Sequence, residues 1–136
     1  MKKLSLILVA LLAIACLVPA LSESFTKPNV IAATSEDQFV GTWDLEGVLF
    51  PDYNQYMTPA QLGGITASLN IVIGRASLTF SGETYSSPSS LQADGTLQAV
   101  DSDGTISTFY LNDNGRISVE MTSDGINMIM YFAPVQ

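Results

Sequence analysis

The 136-residue chain contains no histidine, and its single cysteine, Cys16, stands close to the N-terminus. Without histidine there is no side chain whose ordinary pKa lies near neutrality to act as general base, and no imidazole to hold a transition metal. One cysteine cannot form an intrachain disulfide, so an exported domain of this size must rest on its apolar core. Cations are scarce: five Lys and Arg stand against 13 acids. Two of the five are Lys2 and Lys3, which leaves Lys27, Arg75 and Arg116 for everything that follows. Phosphate binding needs clustered cations, so nucleic acid is excluded as a partner and an anionic membrane surface is disfavoured. The acidic balance itself serves solubility.

What the first residues do contain is an export pattern. Met1-Lys2-Lys3 precedes an apolar run from Leu4 to Val18 that one serine interrupts. Val18-Pro19-Ala20 and Ala20-Leu21-Ser22 both offer small residues for cleavage. Residues 1–20 therefore read as a bacterial-type signal peptide, shorter than the roughly 20 apolar residues of a membrane span. Leu12-Ala13-Ile14-Ala15-Cys16 also fits a loose lipobox. Cleavage at Ala20 or Ser22 and lipidation at Cys16 stand as alternatives, and only the second brings the membrane in as a partner. The expected location is extracytoplasmic: secreted, or lipid-anchored at the cell envelope. Residues 21–38 hold no sustained period and read as a flexible tether.

From residue 39 to 136 the chain is a series of short alternating segments, many stopped by Asp-Gly or Asn-Gly. These turns are Asp94-Gly95, Asp103-Gly104, Asn114-Gly115 and Asp124-Gly125. Such pairs accept left-handed backbone and close hairpins tightly. The pattern predicts strands over 41–49, 65–73, 76–81, part of 83–93, 96–100, 105–112, 116–121 and 126–132. In the first, Trp43, Leu45 and Leu49 are expected on one face, and Thr42, Asp44 and Glu46 on the other. Residues 50–64 interrupt the pattern. Within them, Thr58-Pro59-Ala60-Gln61-Leu62-Gly63 is a one-turn helix signature with Thr58 as cap. Pro88 demands an edge, bulge or break in the fourth strand. Eight short strands in a meander leave exposed edges unless they close, so the expected fold is a small antiparallel up-and-down barrel, with a two-sheet sandwich as the alternative.

Val40-Gly41-Thr42-Trp43 at the start of the first strand, with seven hairpin strands behind it, resembles the lipocalin and calycin pattern. It is most similar to the short lipocalin-like domains of secreted bacterial proteins. The matching stretch is about residues 39–133. The resemblance implies that Gly41 and Trp43 mark the closed end of the barrel and that a late-strand arginine, here Arg116, packs over Trp43. The connection after the first strand then lies at an open mouth. That mouth would carry Asp52, Tyr53, Tyr56, Met57, Glu83, Asp101, Asp103 and Asp124. The closed end takes Gly74-Arg75, Asp94-Gly95 and Asn114-Gly115.

No catalytic motif and no metal-binding spacing is present. Asp101-Ser102-Asp103-Gly104-Thr105 fails the calcium-loop pattern, which needs glycine at the sixth position and an acid at the twelfth. No cofactor is expected, and no enzymatic role. Candidate ligand contacts are Tyr53, Tyr56 and Met57 at the mouth, with Leu69, Ile71, Phe80, Met128 and Met130 inside. The same inward residues also suit a filled core, because eight-stranded barrels either fill with side chains or hold one small ligand. Two functions follow. One is a non-catalytic binding module for a small neutral or cationic apolar ligand in a shallow barrel. The other is a filled barrel that engages a cell-surface protein, as an interaction or inhibitor domain.

Overall fold

A computed structural model describes residues 25–80, 82–102, 104–123 and 125–135. The expected signal peptide with Cys16, and the expected mouth acids Asp103 and Asp124, lie outside the described residues. Ten strands are present: β1 (Val30–Ile31), β2 (Gly41–Phe50), β3 (Gln55–Met57), β4 (Ala67–Val72), β5 (Arg75–Phe80), β6 (Glu83–Leu91), β7 (Leu97–Val100), β8 (Ile106–Asn112), β9 (Ile117–Ser123) and β10 (Ile126–Pro134). Eight of them, β2 and β4 to β10, pair antiparallel with their chain neighbours, and β10 returns to pair with β2. The sheet is thus a closed up-and-down barrel rather than a sandwich. Strand β3 extends the sheet beside the end of β2, and β1 does so beside the end of β8.

Side-chain alternation places the core. Leu69, Ile71, Leu78, Leu97, Phe109, Leu111, Ile117, Val119, Met128, Met130 and Phe132 point into the barrel and are buried. On β2 the alternation changes phase. Tyr131 pairs with Gly47, but Phe132 pairs with Leu45, so Glu46 is an extra residue with no partner on β10. This β-bulge swaps faces beyond it. Trp43 and Leu45 point inward, then Val48 and Phe50 do. Leu49, expected on the face of Trp43, lies on the outside with Tyr56, Ile129 and Tyr131. Glycines and one asparagine close the turns. Asn54, at φ 50°, is the single non-glycine residue with positive φ among those described.

The expected tether is corrected by the structure over its described part, residues 25–38, which is laid against the base of the barrel. Val30 and Ile31 pair with Asn112 and Leu111. Each base hairpin is then held by one point of the strap. The Asp113 amide donates to the Asn29 carbonyl at 2.9 Å, the Ala33 amide donates to the Gly95 carbonyl at 3.1 Å, and the Gly74 amide donates to Glu36 Oε2 at 2.7 Å. Gly95 has φ +86°, and a Cβ there would meet Ala32 Cα at 2.6 Å, so only glycine allows the strap this close. Ser35 and Gln38 form a capping box around a 3-10 turn, Glu36–Phe39. That turn drives Phe39, fully buried, up into the barrel floor.

Candidate functional site

The base of the barrel is closed around Phe39 and Trp43. Gly41 opens β2 opposite Ile71, and Trp43 is buried, its indole N–H donating to the Phe39 carbonyl at 3.0 Å. Arg116 does not cover it. Its guanidinium makes two hydrogen bonds of 2.9 Å to the Glu46 carboxylate on the barrel exterior. Alternation is the reason: Ile117 points into the core, which turns Arg116 to the exterior, where Glu46 also lies on the face opposite Trp43. This pairing holds the Glu46 carboxyl below its ordinary range, against the opposing effect of burial.

The mouth is built differently from the open cup expected. Residues 48–57 form a hairpin, β2 to β3, with Val48 opposite Met57 and Phe50 opposite Gln55. Its loop is a 3-10 turn, Pro51–Tyr53, ended by Asn54. Alternation along β3 separates the expected pair. Met57 points inward and is fully buried in the core, whereas Tyr56 points outward. The Tyr56 ring lies over Gly47 and stacks on Phe25, with ring centroids 4.0 Å apart. Tyr131 completes this exterior cluster, and burial pushes its phenol up to about 12, with smaller contributions from Glu120 and Tyr56. Tyr53 is the exposed aromatic of the hairpin loop, 60% accessible.

The expected one-turn helix at 58–63 is a hydrogen-bonded turn rather than a helix, capped as its residues suggest. The Thr58 amide donates to Gln61 Oε1 at 2.8 Å, the Gln61 amide returns a bond to Thr58 Oγ1 at 3.3 Å, and the Leu62 amide reaches the Thr58 carbonyl at 3.1 Å. The turn carries Leu62, fully buried, into the main core beside Met57 and Phe50. The loop therefore covers its own side of the mouth, and Phe39 closes the base.

On the β5–β6 and β7–β8 side of the mouth, a partly open pocket of about 40 Å³ remains. That suits one or two waters, whereas small-molecule pockets run to roughly 300 Å³ and above. Its apolar wall includes Leu69, Leu78, Phe109, Val119, Met130 and Phe132. Its other wall is hydroxylic: Tyr85 and Ser87 from β6, Ser107 from β8, with Asp101 and Thr105 at the β7–β8 turn. Of the eight expected ligand contacts, Leu69 and Met130 line this space. Ile71 and Met128 are fully buried in the core away from it, and Phe80 packs half-buried against the core. The hydroxyl wall is a feature the sequence reading did not single out. Its signal was the alternation Tyr85, Ser87, Ser89 on β6, which is polar on the face that should have been apolar.

The described mouth acids are occupied by local structure. Asp52 accepts from Asn127 Nδ2 at 3.1 Å, Asp101 Oδ1 accepts from the Ser102 amide at 2.8 Å, and Glu83 accepts from the Tyr85 hydroxyl. No group of three or more metal-ligating side chains exists among the described residues. Compared with protein-family models, curated proteins and solved structures, the chain finds no match.

Proposed function

We propose that the chain is a non-catalytic, extracytoplasmic, lipocalin-like binding module that meets a protein partner with its surface rather than enclosing a ligand. The observation that supports this reading is the largely filled interior: Phe39 and Leu62 are fully buried in the core, and the pocket that Tyr85, Asp101 and Phe109 line holds only about 40 Å³. The contact surface it favours is the β2–β3 hairpin, where Tyr53 offers a large amphipathic ring to solvent. The hairpin is held to the barrel by three paired positions and by the Asp52–Asn127 bond, so the ring is presented on a fixed support. The test is Tyr53→Ala. Co-isolation of the partner from the producing cells should fall at least tenfold, while the unfolding midpoint stays within about 0.5 kcal/mol of the parent, as for an exposed side chain. Unchanged co-isolation would reject the hairpin as the contact.

A second reading is favoured by one observation. Asp101 stands at the edge of the cavity, beside an apolar wall. A carboxylate there suits a small neutral or cationic apolar molecule and opposes a fatty acid. A ligand panel in which fatty acids bind and matched amines do not would sink it.

A further inference from the structure

The hairpin β5–β6 is longer than its neighbour β7–β8, and this leaves a notch in the barrel wall. Strand β6 pairs with β5 over its whole length up to Pro88, but with β7 only from Ser89 to Leu91. Residues 83–88 thus stand above the end of β7 with one edge facing no described strand. Two hydrogen bonds fix which backbone groups face that edge. The Ser89 amide donates to the Gly74 carbonyl, towards β5, and the Gln92 amide donates to the Thr96 carbonyl, towards β7. Backbone direction alternates along a strand, so Tyr85 and Ser87 address β5, while Thr84, Ser86 and Pro88 turn towards β7. Pro88 has no N–H to give, and it stands where the β6–β7 ladder stops. Beyond it, Thr84 and Ser86 present their N–H and C=O groups at an exposed edge.

The cavity lies behind the same edge. Tyr85 and Ser87, the inward residues between and beside Thr84 and Ser86, line it, as do Asp101 and Thr105 at the tip of β7–β8. An unpaired edge and a vacant space behind it are two separate features that one ligand shape would satisfy. From this geometry we infer a site for an extended peptide, which pairs with the β6 edge at Thr84 and Ser86 and turns one small side chain through the notch into the cavity. Main-chain bonds supply the affinity in such strand addition, and the pocket selects the alternate side chain. A space of about 40 Å³ admits a side chain of alanine to valine size and no aromatic one. Glu83 and Asp101 flank the notch on a chain of net charge −8, so the peptide is basic or uncharged. The site lies three strands around the barrel from β2, does not use Tyr53, and stands or falls separately from the hairpin contact.

The test is a titration of the purified full chain with the peptide Lys-Thr-Val-Thr-Val-Lys, read by amide hydrogen exchange residue by residue. Exchange at Thr84 and Ser86 should slow by on the order of tenfold at saturation. The same peptide methylated on alternate backbone nitrogens should have no effect, and a glutamate-flanked copy should bind more weakly. Ser86→Pro removes an edge donor and spares the backbone ladder to β5, though it also loses the Ser86 Oγ bonds to Ser77 and Arg75; it should abolish the response, whereas Ser86→Ala, which loses only those side-chain bonds, should keep it. Ser107→Leu, which fills the cavity, should weaken it. No protection at millimolar peptide, or an equal response to the methylated peptide, overturns the site. Protection of Thr84 and Ser86 that rises with protein concentration alone would make a second copy the occupant and overturn the peptide assignment.

Discussion

Replacing Gly47 by alanine should destabilise the protein through a single side chain, Tyr56. Gly47 does not have positive φ, so alanine is conformationally acceptable there and even has the better strand propensity. Space decides the outcome. A Cβ at Gly47 would lie 2.1 Å from the Tyr56 hydroxyl oxygen and 2.2 Å from Cζ. Unstrained contact begins near 3.5 Å, so the ring must retreat by more than about 1 Å. It has nowhere to go, because Phe25 is stacked on it at 4.0 Å. Overpacking costs about 1–3 kcal/mol, and loss of the stack adds about 0.5–1.5 kcal/mol. The expected loss is about 2–4 kcal/mol, a fall in Tm on the order of 10–20 °C for a domain this small. Denaturant unfolding of Gly47→Ala, Tyr56→Ala and the double variant measures it as a cycle. In the Tyr56→Ala background the alanine at 47 should cost nothing or stabilise slightly. A loss of equal size in both backgrounds would refute the assignment to the tyrosine ring.

Two further expectations concern stability. Phe39→Ala empties the barrel floor and should cost about 3–5 kcal/mol by denaturant unfolding, far more than a tether residue would. Tyr131, whose phenol is raised from 10 to about 12 by burial, should make the fold alkali-sensitive. Its contribution is fully present below pH 10, where the unfolded chain still holds the proton, and is lost as the pH rises towards 12. The loss is on the order of 2 kcal/mol, and Tyr131→Phe should flatten the unfolding midpoint across that window.

The strands were legible because their information is local. Alternation and Asp-Gly turns reproduce β4, β5 and β7 to β10 within a residue or two. Closure into a barrel followed from the need to cover edges. Pro88 correctly marked where β6 loses a neighbour. What failed depends on residues far apart in the chain. Val30 and Ile31 form a strand of two, too short for any period, and are held by β8 some 80 residues later. The Glu46 bulge is visible only against β10, and it moved Leu49 to the face opposite Trp43, while Glu46 stays on the exterior face expected for it. Arg116 likewise lies away from Trp43, held by a carboxylate 70 residues away in the chain. The β2–β3 hairpin did have a local signal that the reading passed over. Pro51 at the start of the loop and Asn54 at its end suit a turn followed by a left-handed residue. Recognising it would have put Met57 inside and Tyr56 outside from alternation alone.

The claim that carries the functional reading is that the barrel is filled. A native mass spectrum of the protein isolated from its producing cells, without denaturation, tests it most directly. The account predicts the bare mass of the chain, with bound water too weakly held to persist. Extra mass that leaves on unfolding would contradict it, and would show that the barrel opens around a ligand far larger than the cavity of about 40 Å³ described here.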